Sequence, residues 1–167
     1  MPERIMPKSL GAPLGMYSHG MVAPAGDIVV VAGQTGIDGA GNLAGAEVGP
    51  QTKQALENVR AVIEAAGCTM RDIVRLQTFL VNARDIADYM KARSEVFPRY
   101  FPDGAYPPNT LLIVSRLVRP ELSVEIEAMA VRPSRASAAR RRPAAKPARA
   151  ATTARRKSTG PRIRSRR

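Results

Sequence analysis

Cysteine and histidine occur once each in this chain, as Cys68 and His19, and tryptophan not at all. One cysteine excludes an intrachain disulfide and is compatible with a reducing compartment. The lone His and Cys show no ligand spacing, so no metal motif is present and no cofactor is expected. Cys68 follows the glycine that stops a helical pattern and reads as a small buried apolar side chain rather than a nucleophile. No phosphate-binding loop occurs, and GAGNLAG has turn spacing rather than that of a dinucleotide fingerprint. The N-terminus lacks a basic-then-apolar leader pattern. The longest apolar run, IVVVAG, is far too short to span a bilayer. These absences lead to the expectation of a soluble cytoplasmic protein without a membrane partner.

Acidic residues are missing from one whole region. The chain has 26 basic and 14 acidic residues, and no acid follows Arg132. The 14 basic residues from Arg132 onward leave residues 1–131 with a net charge of −2. The basic pI therefore describes the tail and not the body. Residues 132–167 hold one Ile, no aromatic side chain, and much Ala, Pro and Arg. Such a segment cannot bury enough apolar surface to offset its ordering entropy, so a disordered tail is expected. Residues 1–131 form the expected domain. Two readings of the tail stay open: a solubilising extension, or a non-specific nucleic-acid contact through Arg140, Arg141, Arg142, Arg155, Arg156 and Lys157.

The body carries regular patterns. DIVVVAG, Asp27 to Gly33, fits a buried strand. The glycines of QTGIDGAGNLAG mark a turn. Gly49-Pro50 opens a helix whose Ala55, Leu56, Val59, Val62, Ile63 and Ala66 form one stripe, with Gly67 as its stop. Ile73 to Val81 reads as a strand. A second helix spans roughly Ile86 to Tyr100, capped by Asp85 or Asp88, with Pro98 expected to shorten or bend it. Strands follow over Asn109 to Leu117 and Leu122 to Val131. The order predicts an α+β domain, with two helices on one face of a mostly antiparallel sheet. Two helices leave the other sheet face uncovered, so a homo-oligomer with boundary clefts is expected.

SVEIEAMAV, Ser123 to Val131, sets two carboxylates on one strand face, because side chains alternate. Glu125 and Glu127 point one way, while Val124, Ile126, Ala128 and Ala130 form the core side. The glutamates either solvate that face or supply a cleft carboxylate. Other polar groups gather at strand ends: Tyr17, His19, Gln34, Asn109, Thr110 and Arg116. Each has a structural alternative. Arg116, for example, can pair with Glu127 across neighbouring strands, and His19 reads as a surface loop residue.

GMYSHG, VVVAGQTGID, QALENVRAVIEAAGC, DIVRLQTFLVN, PPNTLLIVSRL and VEIEAMAV, in this order, cover about residues 10–132. In them the chain resembles the RidA family, also called YjgF or L-PSP endoribonuclease-like. The resemblance implies a chorismate-mutase-like fold, a homotrimer with a central barrel, and three inter-subunit clefts. In the deaminase branch those clefts hydrolyse 2-imino acids. The resemblance also implies that Tyr17, Gly33, Gln34, Asn109, Thr110 and Leu111 line the cleft, with Tyr17 and Gln34 meeting a neighbour's Asn109 and Thr110. It assigns Glu125 as the carboxylate that holds the attacking water, and leaves Arg116 and Glu127 to the interface or an ion pair. Three positions depart from the deaminase pattern. Ala32 replaces a serine, the deaminases have a cysteine near Leu111, and Asn109 stands where an arginine would grip a substrate carboxylate. Losing that ionic partner commonly costs several kcal/mol. Arg93 and Arg99 are candidates to replace the charge.

Three functions follow: a deaminase-type hydrolase of imines or enamines with altered substrate choice, a non-catalytic ligand-binding trimer, or a nucleic-acid-associated protein acting through its tail.

Overall fold

The computed structural model describes residues 1–134. The tail arginines and Lys157 named above lie outside the described residues. The elements, in order, are β1 (Glu3–Ile5), β2 (Gly20–Val22), β3 (Gly26–Thr35), α1 (Val48–Ala65), β4 (Ile73–Leu80), α2 (Ile86–Tyr100), β5 (Asn109–Ile113) and β6 (Val124–Pro133). The main sheet runs β3-β6-β4-β5. Its pairs are antiparallel except β4 with β5, which is parallel. Both helices cover one face. Their stripe residues Leu56, Val59, Ile63, Tyr89 and Phe97 pack on Val31, Leu76, Val124 and Ile126.

Local chemistry explains the ends of α1. Its C-terminus closes at Gly67, whose φ of 76° suits a residue without Cβ. Gly67 N–H bonds the Glu64 carbonyl at 2.9 Å, and Cys68 N–H bonds that of Ile63 at 3.0 Å. This is the Schellman arrangement, and it leaves Cys68 buried. At the other end the fully buried Gln51 donates to the carbonyls of Gly45 and Glu121, each at 3.0 Å, and accepts from Ser123 N–H at 2.8 Å. The start of α1 is thereby tied to the start of β6.

Several expectations need correction. The ribbon of β1 and β2 is absent from the sequence reading, because three-residue strands are too short to show a period. β5 ends at Ile113 and not Leu117. β4 stops at Leu80, and after the Val114 N–H to Leu80 carbonyl bond no partner strand remains. α2 continues through Pro98 to Tyr100, since in the last turn one lost hydrogen bond is tolerated. Asp85 holds the N-cap position but makes no side-chain cap bond. β6 extends past 131 to Pro133, where Arg132, assigned to the tail, pairs with Asp27 at 2.7 Å.

The run DIVVVAG is buried on one side only. Val31 is 2% exposed, whereas Ile28 is 66% and Val30 71% exposed. The sheet face away from the helices is thus apolar and open. Among the described residues no helix is long and apolar enough to cross a membrane.

Candidate functional site

The sequence-predicted site residues fall into two groups in one chain. The first group surrounds Glu125. β3 carries one extra residue between Val31 and Gln34, so Ala32 and Gly33 bulge against β6. The bulge presses the Gly33 backbone beneath the Glu125 side chain. A Cβ on Gly33 would lie 1.7 Å from Glu125 Oε1, so only glycine admits the carboxylate there. Gln34 donates to the Ala32 carbonyl at 3.1 Å and holds the bulge. Glu125 makes no hydrogen bond or ion pair with the other described residues, which leaves its oxygens free to hold a water. It lies on the open sheet face with Glu127.

Glu127, Arg75, Gln77, Val30 and Met129 line a shallow cavity of about 150 Å³ on that same face. Arg116 is exposed beyond β5, and its Nε donates to the Leu117 carbonyl at 3.2 Å. Within the chain it forms no ion pair with Glu127 among the described residues.

The second group lines a groove of about 300 Å³ at the start of β5. Its walls are Tyr17, Ser18, His19, Arg75, Asn109 and Thr110. Tyr17 therefore shares a groove with Asn109 of its own chain. The Tyr17 oxygen accepts from Leu14 N–H at 3.3 Å, which leaves its proton available. His19 Nε2 donates to the Gly11 carbonyl at 2.8 Å, which makes Nδ1 the acceptor of the neutral ring. Ser18 is buried and donates to the Tyr106 carbonyl at 2.8 Å.

Asn109 and Glu125 lie on opposite sheet faces, although Arg75 and Thr110 of the groove share the open face with Glu127. Asn109 pairs in register with Leu76, and its Oδ1 accepts from the buried Thr78 at 3.1 Å. It belongs to the helix side of the sheet, whereas Glu125 belongs to the open side. Leu111 also faces the helices and packs against the core rather than lining the groove.

Neither candidate replacement arginine enters the groove. Arg99 pairs with Glu57 on the far side of the helices. Arg93 is 2% exposed beneath the groove. It donates to the Met16 carbonyl at 2.7 Å, stacks 4.2 Å from the Phe97 ring centroid, and leaves Nε without a partner. Burial lowers its guanidinium pKa, which the neighbouring Tyr89 and Tyr106 partly offset.

Sequence reasoning missed Arg75 and the buried pair Thr78 and Tyr89 as supports of this groove, and took His19 for a plain loop residue. One signal was available. Tyr89, Arg93 and Phe97 recur every four residues, which sets an arginine on an apolar helix stripe.

Residues 8–132 match the family model endoribonuclease L-PSP. A 2-iminobutanoate/2-iminopropanoate deaminase of Salmonella typhimurium is 31% identical over 132 residues, covering 79% of this chain and 99% of the relative. A solved structure of a Rid family protein of unknown function from Yersinia pestis aligns with TM-score 0.69 and 32% identity, covering 78% of this chain and 98% of that one. Escherichia coli TdcF, solved with bound serine, aligns with TM-score 0.59 and 29% identity over 78% of this chain and 99% of its own.

Proposed function

Because the chain belongs to the endoribonuclease L-PSP family, the RidA and YjgF group, we propose that it binds a small metabolite in clefts between the subunits of a homotrimer and hydrolyses an imine or enamine there. The observation that carries this reading is the placement of the Glu125 and Asn109 side chains on opposite sheet faces and on different strands. Within one chain the two side chains point away from each other. Packing the open Ile28 and Val30 face against another copy buries apolar surface and sets the Glu125 of one chain near the groove of the next.

The chemistry follows from the groups present. Glu125 accepts a proton from a water that adds to the imine carbon. Glu125 returns that proton to the nitrogen of the tetrahedral adduct, the adduct's hydroxyl proton follows as the C–N bond breaks and ammonia leaves, and a carbonyl remains. Tyr17 and Asn109 hold the ligand's polar end. Asn109 carries no charge, so simple 2-imino acids are poor substrates compared with those of an arginine-bearing relative.

The test pairs sizing with light scattering and an ammonia-release assay on wild type and Glu125→Gln. A trimer whose activity vanishes in Glu125→Gln supports the reading. A well-ordered monomer at micromolar concentration overturns it. A trimer that binds ligand equally well in both forms without turnover favours the binding-only alternative.

A further inference from the structure

Asn109 has two ends, a carbonyl acceptor and an amide with two donors. Which end meets the groove decides what the groove can read. The structure resolves this through a buried chain of polar groups that begins at Arg93.

The Arg93 guanidinium lies against Tyr89, with Cζ 5.4 Å from the ring centroid. A guanidinium has donors and no acceptor. The Tyr89 oxygen interacts favourably with that cation, so a hydroxyl proton aimed at it is disfavoured. The Tyr89 hydroxyl lies 2.8 Å from Thr78 Oγ1, where either oxygen could donate. Thr78 is 0% and Tyr89 1% exposed, so water does not compete. Each hydroxyl owns one proton. Thr78 gives its own to Asn109 Oδ1 at 3.1 Å, so Tyr89 is the donor between the two hydroxyls.

We infer that this one-way chain, Arg93 to Tyr89 to Thr78 to Asn109, locks the Asn109 amide with its N–H donors facing the groove. Thr78, Tyr89 and Arg93 are then positioning residues that make the groove select a ligand acceptor, a carboxylate or carbonyl oxygen, over an ammonium or hydroxyl donor. Arg93 also holds the Met16 carbonyl, next to Tyr17, so one buried cation orients both walls. The missing arginine at 109 is thereby replaced in part: the donor is kept at the groove and the charge is set behind it. The inference rests on the proposed reading of the groove as a small-ligand site.

Two measurements test it separately from that reading. A neutron structure of the ligand-free protein locates the Asn109 deuterons. Deuterons towards the groove are expected, and deuterons towards Thr78 overturn the inference whatever binds. Titrations then compare 2-oxobutanoate, which offers acceptors, with propylammonium, which offers donors. Wild type is expected to prefer 2-oxobutanoate by roughly tenfold or more, and Thr78→Val to narrow that ratio about fivefold, the worth of one hydrogen bond. Asn109→Asp, isosteric but without donors, is expected to reverse it. An equal ratio in wild type, Thr78→Val and Asn109→Asp overturns the selectivity. A general loss of packing weakens both probes alike and leaves the ratio unchanged, so it too counts against the inference. If neither probe binds the wild-type protein, the small-ligand reading fails, and the deuteron positions still decide the orientation.

Discussion

Replacing Asn109 by arginine probes the groove most directly. Asn109 offers a carboxylate one neutral hydrogen bond, worth about 1 kcal/mol net, whereas a bond involving an ion is worth about 1.5–3 kcal/mol. A bidentate guanidinium adds a second such contact. The gain in binding the substrate and its adduct is then about 1–3 kcal/mol, or roughly 5- to 150-fold in kcat/KM for 2-iminobutanoate. The change also has a cost. Thr78 loses its acceptor, but keeps Tyr89 at 2.8 Å, so the fold loses only about 1 kcal/mol. The assay is the initial rate of 2-oxobutanoate release by wild type, Asn109→Arg, and Asn109→Arg with Glu125→Gln. The single variant is expected to rise and the double variant to stay at background. Wild type turning over as fast as Asn109→Arg would refute the argument that the missing charge limits this chain.

Three further outcomes are expected. Val30→Asp, on the exposed apolar face, should convert the assembled protein to monomers in a sizing experiment; it removes about 1–2 kcal/mol of burial per chain and adds a buried carboxylate, while circular dichroism stays native. Glu57 is pushed up by burial, but bonds from Tyr100 and Arg60 and the charges of Arg60 and Arg99 outweigh this and hold it below its ordinary 4.5. Its stabilisation is therefore complete above that value and lost as pH falls below it, so wild type should exceed Glu57→Gln by about 0.5–1 kcal/mol at neutral pH, with thermal melts converging in acid. For the tail we propose sequence-independent nucleic-acid binding: full-length protein should lose affinity on the order of a thousandfold between 50 and 200 mM salt if about six phosphates are contacted, and protein ending at Arg132 should not bind.

The sequence made the main elements legible where a period was long enough to read. The Gly67 stop, the alternation of β6 and most of the α1 stripe appear in the structure, because each expresses burial on one side of a regular element; Val62, expected on the stripe, is 38% exposed. The sidedness of DIVVVAG did not show, since a run of β-branched residues looks alike whether one face or both are covered. Glu125 was readable as a face partner of Glu127, but its seat over Gly33 depends on a bulge that no alternation records. The nearness of Tyr17 to Asn109 of its own chain was not legible because its loop is placed by tertiary bonds, from Arg93 to Met16 and from Ser18 to Tyr106, between residues far apart in the chain. Thr78 was hidden for a similar reason: its hydroxyl counts as apolar filling until its partner on a neighbouring strand is known.

The back-to-back placement of Glu125 and Asn109 has a consequence for mixed populations of the protein. In the proposed trimer each copy would serve two clefts, lending the carboxylate to one and the groove to another. A copy damaged at Glu125 alone disables one cleft and still completes its neighbour's. A copy damaged at Asn109 does the same in the other direction. Two such defective alleles expressed together can therefore rebuild some intact clefts, although neither does so alone. A copy that fails to fold drops out of the ring and does no harm. The copy that poisons most is one that assembles well and has lost both halves.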